Sequence, residues 1–142
     1  MARVLIVEDE QADRIILASI VEEARHEVYF ASQGKHAFEI YKKVSIDVVV
    51  TDLQMPVSDG LELVAALREV TPDVAIIAVS GKGPDLLAAA MRQGVLAAFS
   101  KPVDPREFLE ALERAALPVA DRKASSIQEA RGFHAPGLIH PK

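Results

Sequence analysis

The chain has 142 residues, a net charge of −5 and no cysteine. This length is enough for one domain with its own core, and the lack of cysteine excludes disulfide bonds and cysteine-ligated metals. No apolar run approaches the roughly 20 residues of a membrane span and no signal-peptide pattern follows Met1, so we expect a cytoplasmic protein without a membrane partner. The acidic charge argues against direct binding of nucleic acid, which favours a basic surface.

Strand-like and helix-like patterns alternate along the chain. Short apolar runs bounded by polar or turn residues predict five buried strands. They cover residues 4–7, 28–30, 47–51, 75–79 and 97–100. Helical periodicity predicts a helix after each strand. These helices cover residues 13–25, a segment from residue 34 onward, 61–70, 84–93 and 105–116. Five strand-then-helix repeats imply a doubly wound α/β fold, with helices on both faces of a parallel sheet.

The predicted helices carry recognisable faces and end signals. Ile16, Ile20 and Ala24 recur at four-residue spacing and define the apolar face expected for the first helix. Gly94 stands where a helix stop is expected, after the fourth helix. Asp104 stands where an N-cap is expected, before the fifth helix.

Four of the apolar runs end in polar residues. In an open parallel sheet, ligands bind beyond the carboxyl ends of the strands. We therefore expect one pocket that contains three carboxylates, one hydroxyl and one ammonium group. The residues concerned are Glu8, Asp9, Asp52, Ser80 and Lys101.

The order and position of these polar residues form a specific pattern. The full set of matching positions is Glu8-Asp9, Asp52, Met55-Pro56, Asp59-Gly60, Ser80-Gly81 and Lys101-Pro102. With this set, the chain resembles the CheY-like receiver domain of two-component response regulators. The resemblance implies a flavodoxin-like fold with a five-stranded sheet in the order 2-1-3-4-5. It also implies a receiver domain over residues 1–117. The shift to serine, glycine, proline and histidine after Pro118 predicts a C-terminal extension over residues 118–142.

The chemistry expected of this pocket is phosphoryl transfer. Asp52 follows its strand alone, so its carboxylate can act as a nucleophile at the sheet edge. Glu8, Asp9 and Asp52 repel one another when ionised, and a divalent cation such as Mg²⁺ or Mn²⁺ relieves this repulsion. The same cation neutralises phosphoryl oxygens. The resemblance adds the backbone carbonyl of Gln54 as a further metal ligand.

Lys101 and Ser80 complete the implied mechanism. The lysine pairs first with Asp52 and later with a phosphoryl oxygen, and the resemblance implies a cis peptide between it and Pro102. Ser80 offers a hydroxyl that can turn towards a phosphoryl oxygen and move its loop. The implied donor is a sensor histidine kinase, a phosphotransfer protein or a small phosphodonor. The implied output is altered binding of a downstream protein or relay of the phosphate, by a phosphoacceptor that assists its own reactions without being an enzyme.

Two features of the sequence limit what the resemblance implies. Ala98 stands where many receivers carry a tyrosine or phenylalanine whose rotamer reports phosphorylation, and the adjacent Phe99 is expected in the core. We therefore expect an output that does not use an aromatic rotamer. Lys82 lies two residues after Ser80, at a position that tunes the lifetime of the phosphoryl group in the family. Gln54, two residues after Asp52, occupies the other position that tunes this lifetime in the family.

Other functional classes remain open. The fold can serve as an adaptor that binds proteins without phosphorylation, and the chain can be the receiver fragment of a larger regulator. An aspartate-nucleophile phosphohydrolase needs its nucleophile at the end of the first strand and a second aspartate two residues later. Asp9 is followed instead by Glu10 and Gln11, so this pattern fails.

The sequence also indicates what to expect of the C-terminal extension and of the output surface. About 25 residues cannot build an effector domain with its own core. Breaker clusters in the extension favour either a flexible segment or a docking strip. The strip would use Ile127, Phe133, Leu138 and Ile139. We expect the output surface on the fourth helix, fifth strand and fifth helix, where a weak homodimer can form.

Overall fold

A computed structural model describes residues 1–55, 60–124 and 129–131. Within these ranges the strands are β1 (Arg3–Val7), β2 (Glu27–Ala31), β3 (Val48–Asp52), β4 (Ala75–Ser80), β5 (Ala97–Ser100) and β6 (Glu129–Arg131). The helices are α1 (Gln11–Glu23), α2 (Gly34–Lys43), α3 (Gly60–Val70), α4 (Pro84–Arg92), α5 (Pro105–Ala115) and α6 (Val119–Ala124). Not one of these helices combines the length and the apolar composition that crossing a membrane requires.

The strands form one parallel sheet in the order β2-β1-β3-β4-β5-β6. The predicted order 2-1-3-4-5 is confirmed, and with it the flavodoxin-like α/β fold with helices on both faces. Every residue of β3 and β4 is buried. Because helices cover both faces of these strands, their sequences are continuous apolar runs rather than alternating patterns.

The sixth strand was not predicted. It pairs in parallel with β5, with Ala97 opposite Glu129 and Phe99 opposite Arg131. The C-terminal extension therefore contributes a strand to the edge of the sheet. β6 has three residues and no apolar run, so it lacks the pattern by which the other strands were found. The four residues expected in a docking strip lie outside the described residues.

Two apolar layers cover the sheet, one on each face. Successive residues of a strand point to opposite faces. Ala98 accordingly lies in the layer with α2, α3 and α4, whereas Phe99 lies in the layer with α1 and α5. Phe99 packs edge to face against Phe108, with 5.6 Å between the ring centroids. The expected core position of Phe99 is confirmed.

The buried face of α1 differs from the predicted one. Leu17 and Val21 are buried, whereas Ile16 is 54% exposed. The placement of Ile16 on the buried face is therefore wrong, although Ile20 packs against the core as expected. Residues 15–18 are all apolar, so a four-residue spacing fits more than one helix face. Contact with the sheet decides which of these faces is buried.

Two helix ends follow their sequence signals. The Asp104 carboxylate accepts hydrogen bonds from the backbone N–H groups of Arg106 at 2.9 Å and Glu107 at 3.1 Å, and so caps α5. Gly94 follows α4 with φ of +90°, a conformation that favours glycine. A Cβ atom at this position would also lie 2.9 Å from Cζ of Arg68. Both predicted end signals are confirmed.

Candidate functional site

Four strands end at one edge of the sheet, and the polar residues that follow them meet there. Glu8 and Asp9 follow β1, and Asp52 is the last residue of β3. One oxygen atom of each of these carboxylates lies within 4.8 Å of the other two. Ser80 is the last residue of β4, and Lys101 follows β5. The structure thus brings the five residues predicted from the strand ends to one edge.

A cavity of about 610 Å³ opens at this edge. Its lining residues are Asp9, Glu10, Asp13, Asp52, Gln54, Met55, Gly81, Lys82 and Lys101. Glu8 is fully buried, whereas Asp9 is partly exposed. The cavity is therefore open to a small charged group and is walled mainly by side chains that can bind a cation or an anion.

Lys101 connects the acidic side chains of the site. Its ammonium donates hydrogen bonds to Glu8 Oε1 at 2.6 Å, to Asp13 Oδ2 at 2.9 Å and to Asp52 Oδ2 at 3.0 Å. An ammonium has three N–H donors, so these three carboxylates account for all of them. Burial lowers the pKa of Lys101, but the three hydrogen bonds outweigh it and raise the pKa above its ordinary value. The lysine is therefore cationic at neutral pH.

Glu8 titrates near neutral pH. Burial raises the pKa of Glu8 to about 7, and the hydrogen bond from Lys101 offsets only part of this rise. The negative charge of Asp52 raises the pKa further. A cation beside Glu8 would favour its ionised form, so this carboxyl group links the charge of the site to pH.

Both oxygen atoms of Asp52 are engaged. Oδ1 accepts a hydrogen bond from the backbone N–H of Gln54 at 3.0 Å, and Oδ2 accepts one from Lys101. Asp52 is only 4% exposed, yet it lines the cavity. Its carboxylate is thus oriented by two donors while one side stays open to a small group.

The backbone of Asp52 requires a glycine at the start of α3. A Cβ atom at Gly60 would overlap the carbonyl oxygen of Asp52 and lie 2.8 Å from Cα of Leu53. The N–H of Gly60 donates to the carbonyl of Leu53 at 3.1 Å. Gly60 therefore lets α3 begin directly against the strand end that carries Asp52. Asp59, which precedes Gly60 in the pattern named above, lies outside the described residues.

Ser80 binds the backbone of its own loop. Its hydroxyl donates to the carbonyl of Lys82 and accepts from the N–H of Lys82, both at 3.2 Å. The N–H of Lys101 donates to the carbonyl of Ser80 at 2.9 Å and joins the two sides of the site. A serine hydroxyl has a single O–H donor, so Ser80 must give up its bond to the carbonyl of Lys82 before it can donate to a group attached to Asp52.

Strand β5 and the residues after it show two features expected there, a cis peptide bond and a small residue in place of an aromatic one. The bond between Lys101 and Pro102 is cis, as the resemblance implies. Ala98 is fully buried, and its methyl group takes the place of the aromatic ring that many receivers have. Lys82, the other position named above, lines the cavity.

The donor set fits a small divalent cation. Glu8, Asp9 and Asp52 offer oxygen ligands alone, which suit Mg²⁺ and Mn²⁺ better than softer metals. Gln54, whose backbone carbonyl is the fourth predicted ligand, lines the same cavity. A cation among these groups would offset the mutual repulsion of the carboxylates.

The role of one acidic residue of the site, Asp13, was missed in the sequence. It lies in the first turn of α1 and binds Lys101, which is 88 positions away along the chain. One signal could have indicated it: Asp13 is an acidic residue only four positions after Asp9, in the segment that leads from β1 into the first helix. Because α1 was predicted to begin at Asp13, this residue was interpreted as a helix start.

Comparison with known proteins decides the family. A family model described as the response regulator receiver domain matches residues 4–113. This range contains the strand-end residues of the site. The chain belongs to the response regulator receiver domain family. It is a phosphoacceptor signalling domain of the two-component type.

Individual relatives agree with this assignment. A response regulator receiver protein from Anaeromyxobacter sp. is 36% identical over 111 residues, which are 78% of this chain and 47% of that protein. The chemotaxis protein CheY from Thermotoga maritima is 32% identical over 114 residues, which are 79% of this chain and 95% of that protein. The crystal structure of a receiver domain protein from Clostridium thermocellum matches with a TM-score of 0.78 and 28% identity, covering 89% of this chain and 100% of that chain. The chain thus spans about half the length of the first of these relatives and nearly all of the second.

Proposed function

We propose that Asp52 is the phosphoacceptor and that its phosphorylation requires Mg²⁺ or Mn²⁺. One observation carries this proposal. Among the described residues, Asp52 alone belongs to the group of three carboxylates, binds Lys101 and lines the cavity. Glu8 meets the first two conditions but does not line the cavity, and Asp9 is not among the three carboxylates that bind the lysine.

The proposed reaction is a displacement at phosphorus. A carboxylate oxygen of Asp52 forms a bond to the phosphorus of the donor. The bond from phosphorus to the histidine nitrogen, or to the oxygen of a small acyl phosphate, breaks, and its electron pair leaves with that group. Lys101 and the N–H of Gln54 orient the carboxylate, so less rearrangement is needed at the moment of transfer. Lys101 also offsets the charge of the phosphoryl oxygens.

The cation would be held by Glu8, Asp9 and Asp52 together with the backbone carbonyl of Gln54. When bound, it supplies positive charge for the phosphoryl oxygens and for the crowded carboxylates. The protein's own part is to place these oxygen donors at one edge of a rigid sheet. Glu8 is fully buried, so its carboxylate charge is shielded from solvent.

The phosphorylation signal is proposed to leave the site through Ser80. Its hydroxyl exchanges the bond to the carbonyl of Lys82 for one to a phosphoryl oxygen, and the loop after β4 moves with it. Ala98 is a small residue on the neighbouring strand β5, where it is paired with Ala78 of β4. The readout therefore rests on loop displacement rather than on an aromatic side chain.

The proposed partners are proteins. A sensor histidine kinase or a phosphotransfer protein would donate the phosphoryl group, and a downstream protein would read the phosphorylated state. The net charge of −5 supports a protein target over nucleic acid. In this proposal the domain acts in the cytoplasm as a phosphoacceptor that assists its own reactions, and not as an enzyme with a separate substrate.

Intact mass measurement after incubation with acetyl phosphate and Mg²⁺ tests the proposal. The parent protein should gain one phosphoryl group, and the gain should disappear in the Asp52→Asn variant or when EDTA removes the cation. Asp85→Asn is the matched control, because Asp85 is an exposed acid in the first turn of α4 and does not line the cavity. Undiminished labelling of Asp52→Asn would contradict the proposal. A parent protein that binds partners but takes no phosphoryl group would favour the adaptor alternative.

A further inference from the structure

The Lys101 ammonium lies among three carboxylates that come from three different elements. Glu8 follows β1, Asp13 lies in α1, and Asp52 ends β3. All three oxygens lie within 3.0 Å of the nitrogen, a distance typical of charge-assisted hydrogen bonds. The proposed function gives a role to Glu8 and Asp52. It leaves Asp13 without one.

Asp13 differs from the other two carboxylates because it is not among the residues that could hold a cation. Glu8 and Asp52 belong to the group of three carboxylates that could hold a cation, whereas Asp13 does not. A cation among those three attracts the same negative charges that attract the ammonium, and it repels the ammonium itself. Asp13 is the partner of Lys101 that stands outside this competition.

The surroundings of Asp13 shield its contact with the lysine. A small cavity of about 60 Å³ beside it is lined mainly by apolar groups, among them Leu17, Val79 and Val103. The side chain of Asp13 is 38% exposed and that of Lys101 is 19% exposed. This ion pair is therefore partly removed from solvent, and it is worth more than a fully exposed surface pair.

We propose that Asp13 is a positioning residue for phosphoryl transfer at Asp52, and that it acts by holding the Lys101 ammonium at the cavity. The inference rests on the proposed function of Asp52. With one donor of the lysine bound to Asp13, the side chain is fixed at the wall of the cavity, and its two other donors reach Glu8 and the acceptor Asp52. Loss of Asp13 should slow the transfer without removing a metal ligand.

Phosphorylation rates at saturating Mg²⁺ provide the first test. In Asp13→Asn, the initial rate with acetyl phosphate should fall about tenfold, the effect of losing one charge-assisted hydrogen bond to the lysine. Asp13→Glu keeps the charge and should recover part of this loss. Glu10→Gln is the matched control, because Glu10 is an exposed acid that lines the same cavity but is not one of the three carboxylates around Lys101. The Mg²⁺ affinities of Asp13→Asn and Glu10→Gln should agree within about twofold, since neither residue belongs to the group of three carboxylates that could hold the cation.

A second measurement does not depend on activity. In protein with ¹⁵N-labelled lysine, the Nζ resonance of Lys101 is assigned by its loss in Lys101→Met, and it is then followed with and without Mg²⁺ alone. Asp13→Asn should shift this resonance and speed the exchange of the ammonium protons with water, whereas Glu10→Gln should leave both unchanged. An unaffected resonance in Asp13→Asn, or phosphorylation at the parent rate, overturns the inference while leaving Asp52 as the phosphoacceptor. A parent protein that takes no phosphoryl group overturns both proposals.

Discussion

The lysine side and the serine side of the pocket are built in different ways. Lys101 is held by three carboxylates that come from β1, α1 and β3, at distances from 2.6 to 3.0 Å. The hydroxyl of Ser80 binds the backbone of Lys82, two residues further along its own loop, with two bonds of 3.2 Å. Several elements must move together to displace the lysine, whereas the serine can exchange its bonds within one loop. The lysine side is suited to chemistry, and the serine side to a change of conformation.

The same contrast extends along β5. This strand ends beside the fixed lysine, but at Ala98 it carries a methyl group where many receivers have an aromatic ring. A methyl group has no rotamers to select, so it cannot report the state of the pocket by itself. In the proposed mechanism, the movable part of the domain is therefore the Ser80 loop. The following predictions test whether the two sides are separate in this sense, from the largest expected effect to the smallest.

Replacement of Lys101 by methionine should have the largest effect. It leaves the buried Glu8 and Asp52 without their countercharge, and breaking a buried ion pair costs about 3–5 kcal/mol. Because the lysine side chain is 19% exposed, we expect a loss of about 2–3 kcal/mol in unfolding free energy at pH 8 without metal. Glu8 can bind a proton at lower pH, so the loss should be smaller at pH 6. Urea unfolding at both pH values measures this difference.

The matched variant for this experiment is Ser80→Ala, which removes a polar group from the other side of the pocket. Its loss of stability should be much smaller than that of Lys101→Met at both pH values. Equal losses in the two variants would show that the lysine side is no more firmly built than the serine side. A loss in Lys101→Met that does not change with pH would show that Glu8 is not the group left uncompensated.

The second prediction concerns metal binding and pH. A cation binds the ionised carboxylate, and the pKa of Glu8 is about 7 before metal binds. From the ionised fraction of Glu8, the apparent Mg²⁺ affinity should be about tenfold weaker at pH 6 than at pH 8. A carboxyl group with its ordinary pKa of 4.5 would give almost no change over this range. Calorimetric titration at both pH values checks the prediction, and equal affinities would contradict it.

The raised pKa of Glu8 also determines in which direction the stability of the metal-free protein changes with pH. The folded protein binds the Glu8 proton more tightly than the unfolded chain does, because the folded pKa lies above the ordinary value. The contribution of this group to stability is therefore full below about pH 4.5 and is lost as the pH rises through about 7. Saturating Mg²⁺ should remove most of this dependence, since it keeps Glu8 ionised at both ends of the range. Thermal unfolding with and without Mg²⁺ measures this pH dependence of the stability.

Much of the pocket could be predicted from the sequence because local patterns specify it. A buried parallel strand is a continuous apolar run, and its last polar residue marks the sheet edge. This holds for Asp52 and Ser80, which close β3 and β4, and for Lys101, which follows β5. The strand order came from the resemblance, and the packing of helices on both faces followed from the alternation of strands and helices.

The features that were missed depend on contacts between distant parts of the chain. Asp13 looks like an ordinary first-turn acid until α1 is placed against the end of β5, where Lys101 lies. Ile16 fits an apolar stripe as well as Leu17 does, and packing on the sheet selects Leu17. β6 pairs with β5 through its backbone, which leaves no pattern of side chains to detect. Tertiary contact decides each case.

The third prediction is that Ser80→Ala leaves the chemistry largely intact. The substitution removes two local hydrogen bonds to Lys82, so the unfolding free energy should fall by about 1 kcal/mol or less. Labelling by acetyl phosphate should continue, because Lys101 and the carboxylates keep their contacts. Intact mass and urea unfolding test the two parts of this prediction. Loss of labelling equal to that of Asp52→Asn would mean that the serine belongs to the fixed side of the pocket.

The smallest effect is expected in self-association through α4, β5 and α5. The outer edge of β5 is paired with β6, so a second copy would meet the helices rather than the strand. Arg92 on α4 and Glu110 on α5 are exposed, and each exposed charge pair contributes about 0–1 kcal/mol. We therefore expect at most weak dimerisation that tightens a few-fold with beryllofluoride, and Ser80→Ala should lose this tightening because its loop no longer responds. Sedimentation of both proteins, with and without beryllofluoride, measures the effect. The same monomer–dimer balance in all samples would exclude this surface as a phosphorylation-driven switch, and tightening in Ser80→Ala would place the movable element somewhere other than the Ser80 loop.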